Sequence, residues 1–197
     1  IGSQLQTWPA EHVVQWRVEL RADADTQSQP ELEARLRTLY DAVKQSGHEL
    51  LLEVAPPSSA DAGSAAAERV LHWMKHIYDL GIRPEWWKLT PLPAQGWAEV
   101  DALIVQRDHY CRGVLLLGPD TGPDEPAAGI SAAARSRTCR GFAIGRGILL
   151  EPSRAWLRNE IDDATLISSV SEKFLEVAGL WRKARTPAPP APAGVAA

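Results

Sequence analysis

Cysteine is nearly absent, with only Cys111 and Cys139 in 197 residues. Two thiols at that spacing form neither a disulfide framework nor a metal-ligand set, which suits a reducing compartment. Long apolar runs are missing as well. None approaches the ~20 residues of a membrane span, and no charged-then-apolar leader opens the chain. The reading is therefore cytoplasmic, with no membrane partner. Clustered positive charge is also lacking. The 21 Lys+Arg against 25 Asp+Glu give a net charge of −4, a poor footprint for nucleic acid. A small anionic metabolite needs only a local basic site and stays open.

A hydrophobic content of 45% over this length supports one substantial core and is too little for two full domains. The opening "IGSQLQTWP" reads like mid-protein sequence, so the expectation is a piece of a longer chain. At the other end "TPAPPAPAGVAA" cannot bury a core and is expected to be disordered. The folded domain is thus expected over residues 1–185, and a Pro/Ala-rich tail over 186–197.

Between these ends, five short apolar runs recur along the chain: "VVQWRVEL" (13–20), "LLLEV" (50–54), "WWKL" (86–89), "GVLLLG" (113–118) and "GFAIG" (141–145). Each reads as a strand. The intervening "ELEARLRTLYDAVKQSG" (31–47) and "AAAERVLHWMKHIYDLG" (65–81) carry helical spacing and close on glycine. Residues 153–185 predict two helices, with a cap at Asp162 or Asp163. Strand, helix, glycine turn, strand is the parallel βαβ rhythm. The fold class is α/β, with about five βα units and parallel strands. Those units make either an open doubly wound sheet or a partial TIM barrel, whose full form has eight units in about 250 residues.

In such barrels the reactive groups sit at the C-terminal ends of the strands. Glu53 ends "LLLEV" and Lys88 has the equivalent place in "WWKLTP". A charge inside an apolar strand is costly unless paired, so the two are either a buried or rim ion pair or a working pair. In the second case Trp86 and Trp87 would desolvate Lys88 and leave a nucleophilic amine for Schiff-base chemistry, with Glu53 as proton shuttle. "GFAIGRGI" ends a strand in Gly145, Arg146 and Gly147, and Gly118 ends the preceding one. This is either a phosphate cradle with a helix N-terminus or a plain structural turn. "GPDTGPDEP" (118–126) reads as a turn into a further helix. His72 and His76 have the i, i+4 spacing of a metal pair but no HExxH glutamate between them, so no metal and no cofactor is expected. The eight tryptophans read as core and helix–sheet packing.

"HELLLEVAPP", "LGIRPEWWKLTP", "CRGVLLLG", "GFAIGRGI" and "AWLRNEIDD" together resemble the domain of unknown function 2090. That domain is found fused behind a ribokinase-type sugar kinase in bacterial inositol-catabolism proteins. The resemblance implies an aldolase-like barrel for 2-deoxy-5-keto-gluconate 6-phosphate, cleaved to dihydroxyacetone phosphate and malonate semialdehyde. The layout is also similar to class I tagatose-bisphosphate aldolases. By that likeness Glu53 is the proton-shuttling carboxylate, Lys88 the Schiff-base lysine, and Gly118, Gly145 and Arg146 the phosphate end. The chain departs from the pattern at Thr90, where a glutamate is expected, and at Gln15, where a lysine is expected. The other reading is a non-catalytic or degenerate phosphosugar-binding or regulatory domain. The partners implied are a phosphorylated sugar or keto-acid and, at the open edge 13–20, either a missing N-terminal barrel half or a second copy.

Overall fold

The computed structural model describes residues 2–19, 28–55, 64–118 and 126–186. In chain order these give α1 (Gly2–Leu5), β1 (Val13–Glu19), α2 (Ser28–Ser46), β2 (Glu49–Ala55), α3 (Ser64–Asp79) and β3 (Trp86–Leu89). Then follow α4 (Ala94–Arg107), β4 (Gly113–Leu117), α5 (Pro126–Arg135), β5 (Cys139–Ala143), α6 (Arg146–Leu157) and α7 (Asp163–Arg185).

The five strands form one parallel sheet in the order β1-β2-β3-β4-β5. A doubly wound sheet reverses its strand order at a switch point, and this one does not. Successive right-handed crossovers without a reversal place every helix on the same face, as in a barrel. The burial agrees. Val14, Val18, Leu50, Leu52, Val54, Trp87, Leu89, Val114 and Leu116 point to that face and are buried in one cluster with Leu36, Val43, Val70, Met74, Ile77, Val100, Leu103 and Ile130 of the helices. The fold is therefore five βα units of a partial (β/α) barrel, with β1 and β5 at its two edges.

Helix ends follow the chemistry of their caps. Gly47 at φ 74° and Gly81 at φ 81° close α2 and α3 in the left-handed region. Asp162 caps α7, accepting from the Thr165 N–H at 2.9 Å. The expected two helices in 153–185 are present, but α6 begins seven residues earlier, at Arg146. The strand expected over 141–145 is corrected to Cys139–Ala143. Polar Arg140 hid its start from a hydropathy reading, and the β4–β5 register shift between Val114 and Leu115 accommodates it. The turn expected over 118–126 falls mostly on residues outside those described, and so does the tail from 187 onward.

The entry to β5 is fixed by one carboxylate. Asp101 of α4 accepts from Ser136 Oγ (2.7 Å), the Arg137 N–H (2.8 Å), the Thr138 N–H (3.0 Å) and Thr138 Oγ1 (2.6 Å). Burial works against its charge, but the Thr138 and Ser136 hydroxyls and the two backbone N–H groups outweigh it and hold the carboxyl below the usual range. On the neighbouring strand, Gly113 has φ 146°, and a Cβ there would stand 2.5 Å from Arg140 Cγ and 2.7 Å from the Thr138 carbonyl oxygen.

Asp101→Ala should cost about 3 kcal/mol of unfolding free energy, because it leaves several donors without their charged acceptor. A folded-state pKa below the unfolded value contributes stability above pH 3.8, lost as pH falls through the folded value. Urea unfolding of wild type and variant should therefore show a gap that narrows below pH 4, with unchanged m.

Candidate functional site

Strand alternation sets the face opposite the helices. Parallel pairing places Arg17 beside Glu53, Glu53 beside Lys88, Lys88 beside Leu115 and Leu115 beside Gly141, one row across all five strands. Within that row Lys88 Nζ lies 2.9 Å from Glu53 Oε2, and their side chains are 14% and 4% exposed. Gln15, one step earlier on β1, donates through Nε2 to the same oxygen at 2.8 Å. Arg17 approaches the other oxygen, with its Nη1 3.4 Å from Glu53 Oε1. The carboxylate thus faces three donors from two strands, and the buried charge is paired as its burial demands.

Only one of the two tryptophans flanks this pair. Trp86 shares the face of Lys88, and its Nε1 donates to Glu49 Oε2 at 2.7 Å. Trp87 points to the helices and donates to the Tyr78 hydroxyl at 2.9 Å. The expectation that both desolvate Lys88 is therefore corrected, since neighbours in a strand face opposite ways. At the N-terminal end of the strands the charges are tied down. Glu49 also pairs with Arg112 at 2.6 Å, and Glu85 accepts from the Leu50 N–H at 2.8 Å and from Lys44.

Gly118, Gly145 and Arg146 lie at another corner. The Gly118 N–H donates to the Ala143 carbonyl at 3.0 Å, joining the ends of β4 and β5. A Cβ on Gly118 would stand 2.1 Å from Ile144 Cγ1, so packing alone already requires glycine there. Gly145 is the N-cap of α6, no side chain caps that helix end, and a Cβ at Gly145 would meet nothing within 4 Å. Arg146 is its first helical residue. Lys88 and Glu53 are in direct contact, whereas their row reaches β5 at Gly141, four positions before Gly145. Strand β4 separates the two corners, about 10 Å across two strand spacings.

Arg17 was missed in the sequence. The signal was present, since alternation from Gln15 through Arg17 within "VVQWRVEL" puts both on one face. Of the remaining candidates, His76 pairs with Glu33 at 2.9 Å. Among the described residues no group of three His, Cys, Asp or Glu gathers as a metal set, and no helix is long and apolar enough to cross a membrane. Burial pushes the free thiols of Cys111 and Cys139 up to about 11, so neither is a ready nucleophile at neutral pH.

A family model described as "Uncharacterized protein conserved in bacteria (DUF2090)" matches residues 1–185, and the chain belongs to that family. A search of curated proteins gave no match. Among solved structures, a crystal structure of a Corynebacterium glutamicum protein is similar at 21% identity and a TM-score of 0.48. The similarity covers 80% of this chain and 49% of the other, so this chain spans about half of that protein's length.

Removing one member of the buried pair should be costly, and unequally so. Glu53→Leu strands Lys88 and should cost about 3–5 kcal/mol. Lys88→Met leaves Glu53 its bonds from Gln15 and Arg17 and should cost less. In a urea double-mutant cycle the double variant should be less destabilised than the sum of the singles by about 1 kcal/mol or more.

Proposed function

We propose that this member of the family is a class I, Schiff-base aldolase-like domain for a phosphorylated keto sugar acid such as 2-deoxy-5-keto-gluconate 6-phosphate, in myo-inositol catabolism. In this reading residues 1–185 are the domain, and β1 and β5 are closed by the rest of a barrel or by a second chain. The observation that carries it is the 2.9 Å contact between Lys88 Nζ and Glu53 Oε2. An ammonium must lose a proton before it attacks, and here an acceptor touches it.

The steps balance without an oxidant. Lys88 passes a proton to Glu53, its lone pair bonds to the ketone carbon, and the carbonyl electron pair moves to oxygen, which is protonated. Glu53 then gives its proton to the departing hydroxyl, and water leaves as the iminium forms. Glu53, again a carboxylate, takes the proton of the β-hydroxyl as the adjacent C–C bond breaks. The electron pair enters the iminium, an enamine remains on Lys88 and the aldehyde departs. Protonation and hydrolysis return the amine. Gly145 and Arg146, at the uncapped N-terminus of α6, would hold the phosphate through backbone N–H groups and charge, with Gly118 shaping the strand end beside them.

A second reading also has an observation behind it. Glu53 is already engaged by three donors, the state of a structural ion pair in a phosphosugar-binding or regulatory domain associated with a sugar kinase.

Reduction with sodium borohydride in the presence of dihydroxyacetone phosphate separates the two. The first reading expects one adduct per chain by intact mass, absent in a folded Lys88→Met variant. Binding of the phosphosugar with no adduct would establish the second.

A further inference from the structure

We propose that the chain pairs with a second copy of itself through one flank of α7, the two helices lying antiparallel about a twofold axis at Ser171. This pairing stands whether or not Lys88 forms a Schiff base. Seven of the eleven large apolar side chains exposed among the described residues belong to α6 and α7. Singly scattered apolar residues are normal on a surface, but a cluster of this kind marks a place of contact. On α7, Ile167 is 65% exposed and Leu175 59%. They stand four residues to either side of Ser171, so the three share one flank of the helix. Phe174 borders them, 48% exposed, with its ring 5.9 Å from that of Phe142 on the edge strand β5. The flank therefore lies beside the open edge of the sheet. Helix α7 packs on α5 and α6, and neither covers these side chains.

What selects a second copy is self-complementarity, which a twofold interface requires. About an axis at Ser171, Ile167 of each copy faces Leu175 of the other. Ala164, Ser168 and Ser171 are small and exposed, so the two helices can approach closely along this flank. The charges obey the same axis. Glu160, Asp162 and Asp163 stand at the start of α7, Arg182, Lys183 and Arg185 at its end, and all six are exposed. Antiparallel pairing sets the acidic end of each helix toward the basic end of the other, whereas parallel pairing would set like charges together. Some of these groups also have partners within the chain. Asp163 accepts from Trp156 Nε1 at 2.7 Å, Glu160 pairs with Arg158 at 2.8 Å, and Arg185 donates to the Cys139 carbonyl at 3.3 Å. Exposed charges add little affinity and act mainly on encounter and direction. The affinity comes from the apolar side chains taken out of water.

The test is sedimentation velocity on the full chain over about 1 to 100 µM. Wild type should pass from one chain mass to two across this range. Ile167→Lys and Leu175→Glu, each shown to be folded by circular dichroism, should each weaken the dimer at least about tenfold, because each sets a charge against an apolar side chain. The double variant brings the two introduced charges, opposite in sign, together across the axis and should bind about threefold or more tighter than either single. Val13→Glu, on the β1 edge, should change the dimer by less than about twofold. A wild type that stays monomeric throughout overturns the proposal and leaves the flank to a different occupant. A dimer that both single variants leave intact overturns it too, as does one broken by Val13→Glu instead, which would place the second copy on β1. Loss in both singles without recovery in the double overturns the antiparallel pairing about Ser171.

Discussion

A carboxylate in the middle of a parallel sheet cannot be left alone, and the candidate site is organised around that constraint. Glu53 is 3% exposed and sits on a strand whose other residues are mostly aliphatic. An unpaired charge there would cost several kcal/mol, a large share of a typical domain's stability margin, so the neighbouring strands supply Lys88 from one side and Gln15 and Arg17 from the other. The pairing works in one register only. A slip of one residue in β3 would turn Lys88 toward the helices and bring Trp87 to the polar face, stranding both charges. The ion pair and the strand register therefore specify each other.

The two faces of the sheet divide the labour. Aliphatic side chains and Trp87 pack beneath the helices with almost no exposure, and this supplies the hydrophobic driving force of the fold. The opposite face carries the polar residues in an order along the strands. At the N-terminal end Glu49 and Glu85 are bound by Trp86, Arg112, Lys44 and the Leu50 N–H. Further toward the C-terminal ends stand Glu53, Lys88 and Arg17, then the glycines of β4 and β5. This gradient matches the general rule that barrel chemistry sits at the C-terminal end and stability at the other.

Much of this was legible in the sequence because its signals are local. Short apolar runs marked all five strands, and Gly47, Gly81 and Asp162 marked helix ends where positive φ or a side-chain cap is needed. Glu53 and Lys88 stood out because charge interrupts their apolar runs. What escaped depends on register. The start of β5 was masked by Arg140 at a strand irregularity, and Arg17 acquires meaning only when β1 lies beside β2. Gly118 shows a different limit. Its glycine is required by Ile144 at 2.1 Å from a would-be Cβ, a tertiary contact that no strand-end motif distinguishes from a phosphate cradle.

The same geometry serves an ion pair and a Schiff-base lysine, so what separates them is the physical worth of each. A buried salt bridge is weak evidence for stability, because apolar residues of similar volume often do as well or better. The row itself shows the alternative, since Leu115 continues it on β4 and Leu51 precedes Glu53 on its own strand face. A Leu–Met pair at 53 and 88 would fit this pattern and would not need Gln15 and Arg17 to be polar. Stability alone does not call for four polar side chains at this point of the sheet. A reaction that must take a proton from an amine and return it to a departing hydroxyl calls for such a carboxylate beside such a lysine. The 14% exposure of Lys88 leaves the amine within reach of a ligand, which a purely structural pair does not need.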